Sequence, residues 1–234
     1  MKVISLYDFT GEAVRPMANA GAVCYCFDIQ HPFSQFGADV KRVGKGEIHY
    51  LRADLHDQRE LDSIYEQCGE VDFLMAFPIC TDLAVCGSAH FANKKALNKD
   101  FQTDAAQHAI NCAKLAERFG CPYMIENPVS RLATLWRKPD HYFHPFEYGN
   151  YLSDNEATHP TWPDYIPPKD AYSKKTSLWC SDSFIMPQKR PVECESFGSS
   201  RQHRKLGGTS MKTKNIRSAT PRGFAKAVFL ANFC

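Results

Sequence analysis

Apolar residues in the first 130 positions fall into short blocks separated by longer stretches with helical spacing. Residues 2–7 (KVISLY) form one apolar run closed by Asp8, and residues 22–29 (AVCYCFDI) form a second that contains Asp28. Residues 47–55 (EIHYLRADL) read as a third strand, ending near Asp54. Residues 71–78 (VDFLMAFP) are almost wholly apolar, as a strand covered on both faces should be. Residues 122–126 (PYMIE) are a fifth. Phe101–Phe119 carries Ala106, Ala109, Ile110, Ala113 and Ala116 at helical spacing, with Thr103 and Asp104 as caps and Gly120 as the stop. Residues 57–67 predict a weaker helix. This alternation implies an α/β fold with a mainly parallel, doubly wound sheet and right-handed crossovers. Such a sheet takes ligands at the carboxyl ends of its strands. Those ends are residues 8–11, Asp28, Asp54, residues 78–80 and residues 126–128.

The pattern changes after Arg131. Proline- and aromatic-rich sequence (WRKPDHYFHPFEYGNY, HPTWPDYIPP) shows no clean period and predicts loops with a few short strands, Thr176–Cys180 among them. Residues 201–215, rich in Gly, Ser and Lys, predict a mobile loop. Residues 220–232 predict a closing helix capped by Thr220, with Pro221 at its first position. The chain therefore divides into an α/β core (1–130), an irregular basic and aromatic region over the strand ends (131–217), and a helix returning to the core (218–234).

Of 234 residues, 44% are hydrophobic and 23% charged, the balance of a globular chain with a sizeable core. No apolar run is long enough to span a bilayer, and Asp8 and Glu12 interrupt the N-terminus too early for a signal peptide, so a cytoplasmic protein is expected. Net charge is +2, but from Lys174 onward 12 Lys and Arg face 3 Asp and Glu. That leaves +9 in the last part and −7 before it. An acidic body with a basic tail suits a phosphate-bearing partner, or else a solvated basic segment. The ten cysteines show no CxxC pair and no small-domain disulfide framework. Cys24 and Cys26 share one strand face and read as small core residues. His141 and His144 have no cysteine within eight residues, so no metal site is expected.

Four strand ends carry candidate chemistry. Asp8, Phe9, Thr10 and Gly11 form a turn before a helix containing Pro16, where glycine lets backbone approach a nucleotide-like ligand; a plain strand-to-helix turn would look the same. Asp28 sits where an acid accepts hydrogen bonds from ribose hydroxyls, and Asp54 with Leu55 could hold an adenine; either acid could equally cap a helix. Cys80, just past Pro78, is placed as a nucleophile or as a packed thiol. Cys86, beside Gly87, is its rival. Glu126 and Asn127 can read the edge of a heterocycle through a carboxyl and an amide.

Six segments share their order and spacing with a known family: LYDFTGEAVRPMANAG, CFDIQ, RADL, FPICTDLAVCG, MIENP and SATPRGFAKAV. Together they resemble the cytosine-C5 DNA methyltransferases, in the short, divergent version common in phages and prophages. Phe9 stands where the family has its first loop glycine, Ile79 where it has the proline before the nucleophile, and Pro128 where valine is usual. The resemblance implies a Rossmann-like, S-adenosylmethionine-dependent methyltransferase fold. It assigns the cofactor to Asp8, Phe9, Thr10, Gly11, Asp28, Ile29, Asp54, Leu55 and Pro78. It assigns catalysis to Cys80, Glu126 and Asn127, with Cys80 attacking C6 of a cytosine and Glu126 holding the ring edge. Thr81, Arg131, Lys174 and Lys175 would bind substrate. That substrate would be DNA, with the target base flipped from the stack, or a free pyrimidine nucleotide. A degenerate relative that binds nucleic acid or a partner without catalysis is the third possibility.

Overall fold

A computed structural model describes residues 1–195, 200–208 and 210–234, apart from the side chains of Cys86 and His203. Its strands are β1 (Lys2–Leu6), β2 (Val23–Phe27), β3 (Val40–Val43), β4 (Gly46–Leu51), β5 (Phe73–Ala76), β6 (Tyr123–Pro128), β7 (His141–Phe143) and β8 (Thr176–Cys180). They form one sheet in the order β3-β4-β2-β1-β5-β6-β8-β7. The run β4-β2-β1-β5-β6 is parallel, so its carboxyl ends lie along one edge. β8 enters antiparallel between β6 and β7, which brings Thr176 beside Pro128 on that edge. The α/β class and mainly parallel sheet are as the alternation predicted.

The helices are α1 (Arg15–Ala20), α2 (Gln58–Cys68), α3 (Phe91–Leu97), α4 (Phe101–Phe119), α5 (Leu132–Leu135), α6 (Arg201–Lys205), α7 (Met211–Ser218) and α8 (Arg222–Phe233). Strand side chains alternate between two apolar layers. Ile4, Leu6, Leu74, Ala76 and Ile125 pack with α2 and α4 on one face. Val3, Cys24, Cys26, Phe73, Met75 and Met124 pack with α1 and α8 on the other. Both faces of each central strand are thus buried, which explains why residues 71–78 read as unbroken apolar sequence. Cys24 and Cys26 do share a face. No helix among the described residues is long and apolar enough to cross a membrane.

The structure departs from the sequence-based expectations in three places. Residues 201–215 are not one loop: α6 and most of α7 lie there, with Ser210 capping α7 by accepting from Thr213 N–H at 3.2 Å. Buried Leu206 and Ile216 supply the apolar anchors that the polar composition obscured. Thr103 and Asp104 lie inside α4, because the helix starts two residues earlier, where Phe101 packs edge-on against Phe91. Thr220 makes no cap for α8; Asp170 accepts from Gly223 N–H at 3.0 Å instead.

Candidate active site

The turn after β1 is organised by its own acid. Asp8 is buried, and its Oδ1 accepts from the backbone N–H of Thr10 (3.1 Å) and Gly11 (2.8 Å) and from Thr10 Oγ1 (3.1 Å). Its Oδ2 accepts from Ser5 Oγ at 2.8 Å and lies 3.8 Å from Cys26 Sγ. With both oxygens committed, Asp8 shapes the turn rather than facing outward. Gly11 takes φ +69°, and a Cβ there would stand 2.6 Å from Tyr50 Oη. The glycine thus admits Tyr50 to the loop. Phe9, 38% exposed, stacks on His31 at 5.5 Å, and His31 Nε2 meets the Asp8 carbonyl at 3.2 Å.

Asp28 directly follows β2, with Oδ1 accepting from Gln30 N–H at 2.8 Å. Its carboxyl titrates above the usual range because burial disfavours the charge. Ile29 beside it is exposed, as is Asp54 beyond β4. Leu55 turns inward to the core. The open groups at this edge are therefore Phe9, Ile29 and Asp54, with Asp28 at the base. An apolar wall next to acids suits a nucleoside better than a polyanion.

β5 and β6 pair side by side, so the two loops that follow them are neighbours. Asn127, buried, donates from Nδ2 to the Pro78 carbonyl at 3.0 Å, tying one strand end to the other. Arg131 N–H donates to Leu83 O at 2.9 Å, and Ala84 bridges to Ser130. Cys80, half-buried, lies in this sutured segment; its carbonyl accepts from Leu83 and Ala84 N–H. Thr81 and the Arg131 side chain are exposed on the same loops. Among the other described cysteines, burial pushes Cys24, Cys68 and Cys112 up to about 12 and Cys121 up to about 11, so those thiols stay protonated. The side chain of Cys86, the rival nucleophile, lies outside the described residues.

β6 runs two residues beyond the 122–126 strand expected from the sequence, through Pro128, because β8 extends the pairing; Glu126 therefore lies within the strand. Its carboxyl is buried and Oε1 has no hydrogen-bond partner among the described residues. Burial raises its pKa, opposed by Lys174, whose Nζ is 4.0 Å from Oε1. Lys174 Nζ also donates to Arg217 O at 3.1 Å. A narrow cleft of about 10 Å³ lies here between Phe77, Thr176 and the 218–221 segment, with Glu126 and Lys174 in its lining. Lys175 leaves this site: its Nζ lies over the Tyr142 ring, 4.7 Å from the centroid. α7 closes the edge, since Asn215 Nδ2 donates to Gln30 Oε1 at 3.0 Å beyond β2. Sequence reasoning missed His31, Tyr50 and Asn215, because each acts through a contact distant along the chain.

No family model matches the chain, and no curated protein does. Among solved structures, an E. coli prophage-encoded protein assigned as a DNA modification methyltransferase aligns over 82% of this chain and 53% of its own, at 14% identity and a TM-score of 0.42. A short-chain dehydrogenase/reductase from Serratia marcescens covers 50% of each chain at 16% identity and a TM-score of 0.35. MycE, a methyltransferase of the mycinamycin biosynthetic pathway in complex with Mg and SAH, covers 76% of this chain and 40% of its own at 17% identity, with a TM-score of 0.30. The chain spans about half the length of the prophage protein. These are distant likenesses, and the fold is read from the sheet order itself.

Proposed function

We propose that the protein transfers a methyl group from S-adenosylmethionine to C5 of cytosine in nucleic acid, through a covalent adduct on Cys80. The observation that carries this reading is the Asn127–Pro78 bond, which holds the Cys80 loop against the strand of Glu126, whose buried Oε1 has no hydrogen-bond partner among the described residues and lies 4.0 Å from Lys174 Nζ. The sheet order supports it. An antiparallel strand inserted between the last two parallel ones is the arrangement expected of the Rossmann-like methyltransferase fold.

The residues at the first three strand ends fit a nucleoside-bearing cofactor. Asp28 would accept from ribose hydroxyls, Ile29 and Phe9 would cover apolar faces, and Asp54 would meet an amino group. Asp8, Gly11 and Leu55 would act by shaping the loops. The bound cofactor supplies a methyl group on a sulfonium.

At the other strand ends, the Cys80 thiolate adds to C6. A carboxyl that keeps its proton to higher pH than usual can donate O–H to the ring N3 and accept from the neighbouring amino group. Glu126 meets that requirement, and its donated proton stabilises the charge that develops as sulfur adds. Loss of the C5 proton to a base after methylation then expels the Cys80 sulfur and restores the ring. Incubation with labelled S-adenosylmethionine and DNA, followed by mass spectrometry of the bases, tests the reading. The Cys80→Ser variant is expected to abolish turnover while keeping cofactor affinity, and a 5-fluorocytosine substrate to trap an adduct on Cys80. Full activity in Cys80→Ser overturns the mechanism, and labelling of free nucleotide alone moves the substrate from polymer to monomer.

A further inference from the structure

A group of buried donors lies between the β1–α1 turn and the start of α8. His159 is 1% exposed, and its Nδ1 accepts from the backbone N–H of Thr161 (3.2 Å) and Trp162 (3.1 Å). Two accepted bonds leave the ring proton on Nε2. Burial, followed by the charges of Arg222 and Arg15, lowers the ring's pKa to about 4, so it is neutral near pH 7. That Nε2–H is buried and finds no acceptor among the described residues. Arg222 repeats the pattern. Its Nη2 donates to Ala157 O at 3.1 Å, two residues from His159, while its Nε is buried with no acceptor among the described residues. Native structures seldom leave two such donors together unless something outside the chain meets them.

Charges of both signs surround these donors. Arg15, within electrostatic reach of His159, donates from Nε to Glu12 Oε2 at 3.2 Å. Glu12 is 5% exposed and interacts electrostatically with buried Asp170. Asp170 is already committed to capping α8 through Gly223 N–H. Donors and cations with a carboxylate among them match a group that is itself a zwitterion. Glu12 directly follows Gly11, so the cluster borders the turn where the nucleoside would lie.

We propose that His159 Nε2–H and Arg222 Nε–H bind the carboxylate of an α-amino acid head, with Glu12 facing its ammonium, and that the head belongs to the cofactor. This rests on the cofactor reading above. Arg15 holds Glu12 in place and adds positive potential.

Calorimetry with two ligands separates the ideas. S-adenosylhomocysteine carries the amino acid head, and 5′-methylthioadenosine has the same nucleoside without it. The native protein is expected to prefer S-adenosylhomocysteine by at least about tenfold, the yield of one charge-assisted hydrogen bond. His159→Phe, and Arg222→Lys, which keeps the charge but loses Nε, should each bring that preference close to one while binding of 5′-methylthioadenosine persists. His159→Gln restores a donor at the Nε2 position and should recover most of the preference, which keeps the idea testable if His159→Phe does not fold. An unchanged preference in the Lys and Phe variants assigns the donors to a structural water and overturns the proposal. Equal loss of both ligands makes the residues merely structural and overturns it too. A native protein that binds neither ligand overturns the cofactor reading itself.

Discussion

Glu126 is a carboxyl in a place where carboxylates are costly. Its raised pKa means that the folded state holds the proton more tightly than the unfolded chain does. The unfolded state therefore binds fewer protons as pH rises, and this group's contribution to stability falls through that interval. Glu126→Gln should stabilise the protein by about 1 kcal/mol at pH 8. The gain should vanish below about pH 4, where the unfolded carboxyl is also protonated. Urea unfolding at the two pH values checks this, and an equal shift at both would place the effect outside titration. Gly11 makes a second residue-scale case. Gly11→Ala meets Tyr50 Oη at 2.6 Å and a left-handed φ, so a loss of about 2 kcal/mol or more is expected. Adding Tyr50→Phe should return part of it by removing the hydroxyl, leaving the backbone strain. The glycine was visible in the sequence, but its neighbour was not, because Tyr50 lies on a strand 39 residues away.

At the scale of elements, what could be read locally was read well. α4 and β8 have the bounds read from the sequence: α4 buries a regular stripe, and β8 is a short run buried at all five positions, polar Thr176 and Ser177 included. β3 was missed because Val40–Val43 is a largely exposed edge strand with two cations among its four residues. β7, three residues long, leaves no period to detect. The start of α8 shows the limit most clearly: Pro221, expected at the first helical position, stands at the cap with Thr220 before it, yet the acceptor comes from Asp170, 53 residues before Gly223. Asp170 adopts φ +51°, a conformation that asparagine tolerates and alanine resists. Asp170→Ala should therefore cost about 2–3 kcal/mol, combining lost cap and backbone strain, whereas Asp170→Asn, which keeps an acceptor, should cost well under half of that. Thermal unfolding of the pair distinguishes this from a purely electrostatic role, in which both variants would suffer alike.

Across the whole molecule, the +9 of the last part largely answers the −7 of the rest. Lys189 pairs with Glu147 at 2.6 Å, Lys226 with Glu156 at 2.8 Å, and Lys174 approaches Glu126. Lys226 is the main reason that Glu156 titrates as low as about 2. The charge asymmetry in the sequence is thus partly internal: the C-terminal segment folds back over an acidic body. Among the cations open to a polyanion are Lys212 and Lys214, exposed on α7, the helix that borders both β2 and the Glu126 cleft. If nucleic acid is held there, each lysine displaces about one condensed counterion, and log affinity for duplex should fall with log salt by about 0.9 per contact. The Lys212→Ala/Lys214→Ala variant should then show a slope shallower by up to about 1.8, with weaker binding at low salt to every sequence alike. Phosphate contacts carry no base information, so the loss should not depend on cytosine content. A slope unchanged by the double substitution moves the polyanion surface off α7. Absence of salt-dependent binding in the native protein would leave the cleft at Glu126 to a free nucleotide, whose single phosphate group could be met by the basic residues around Lys174.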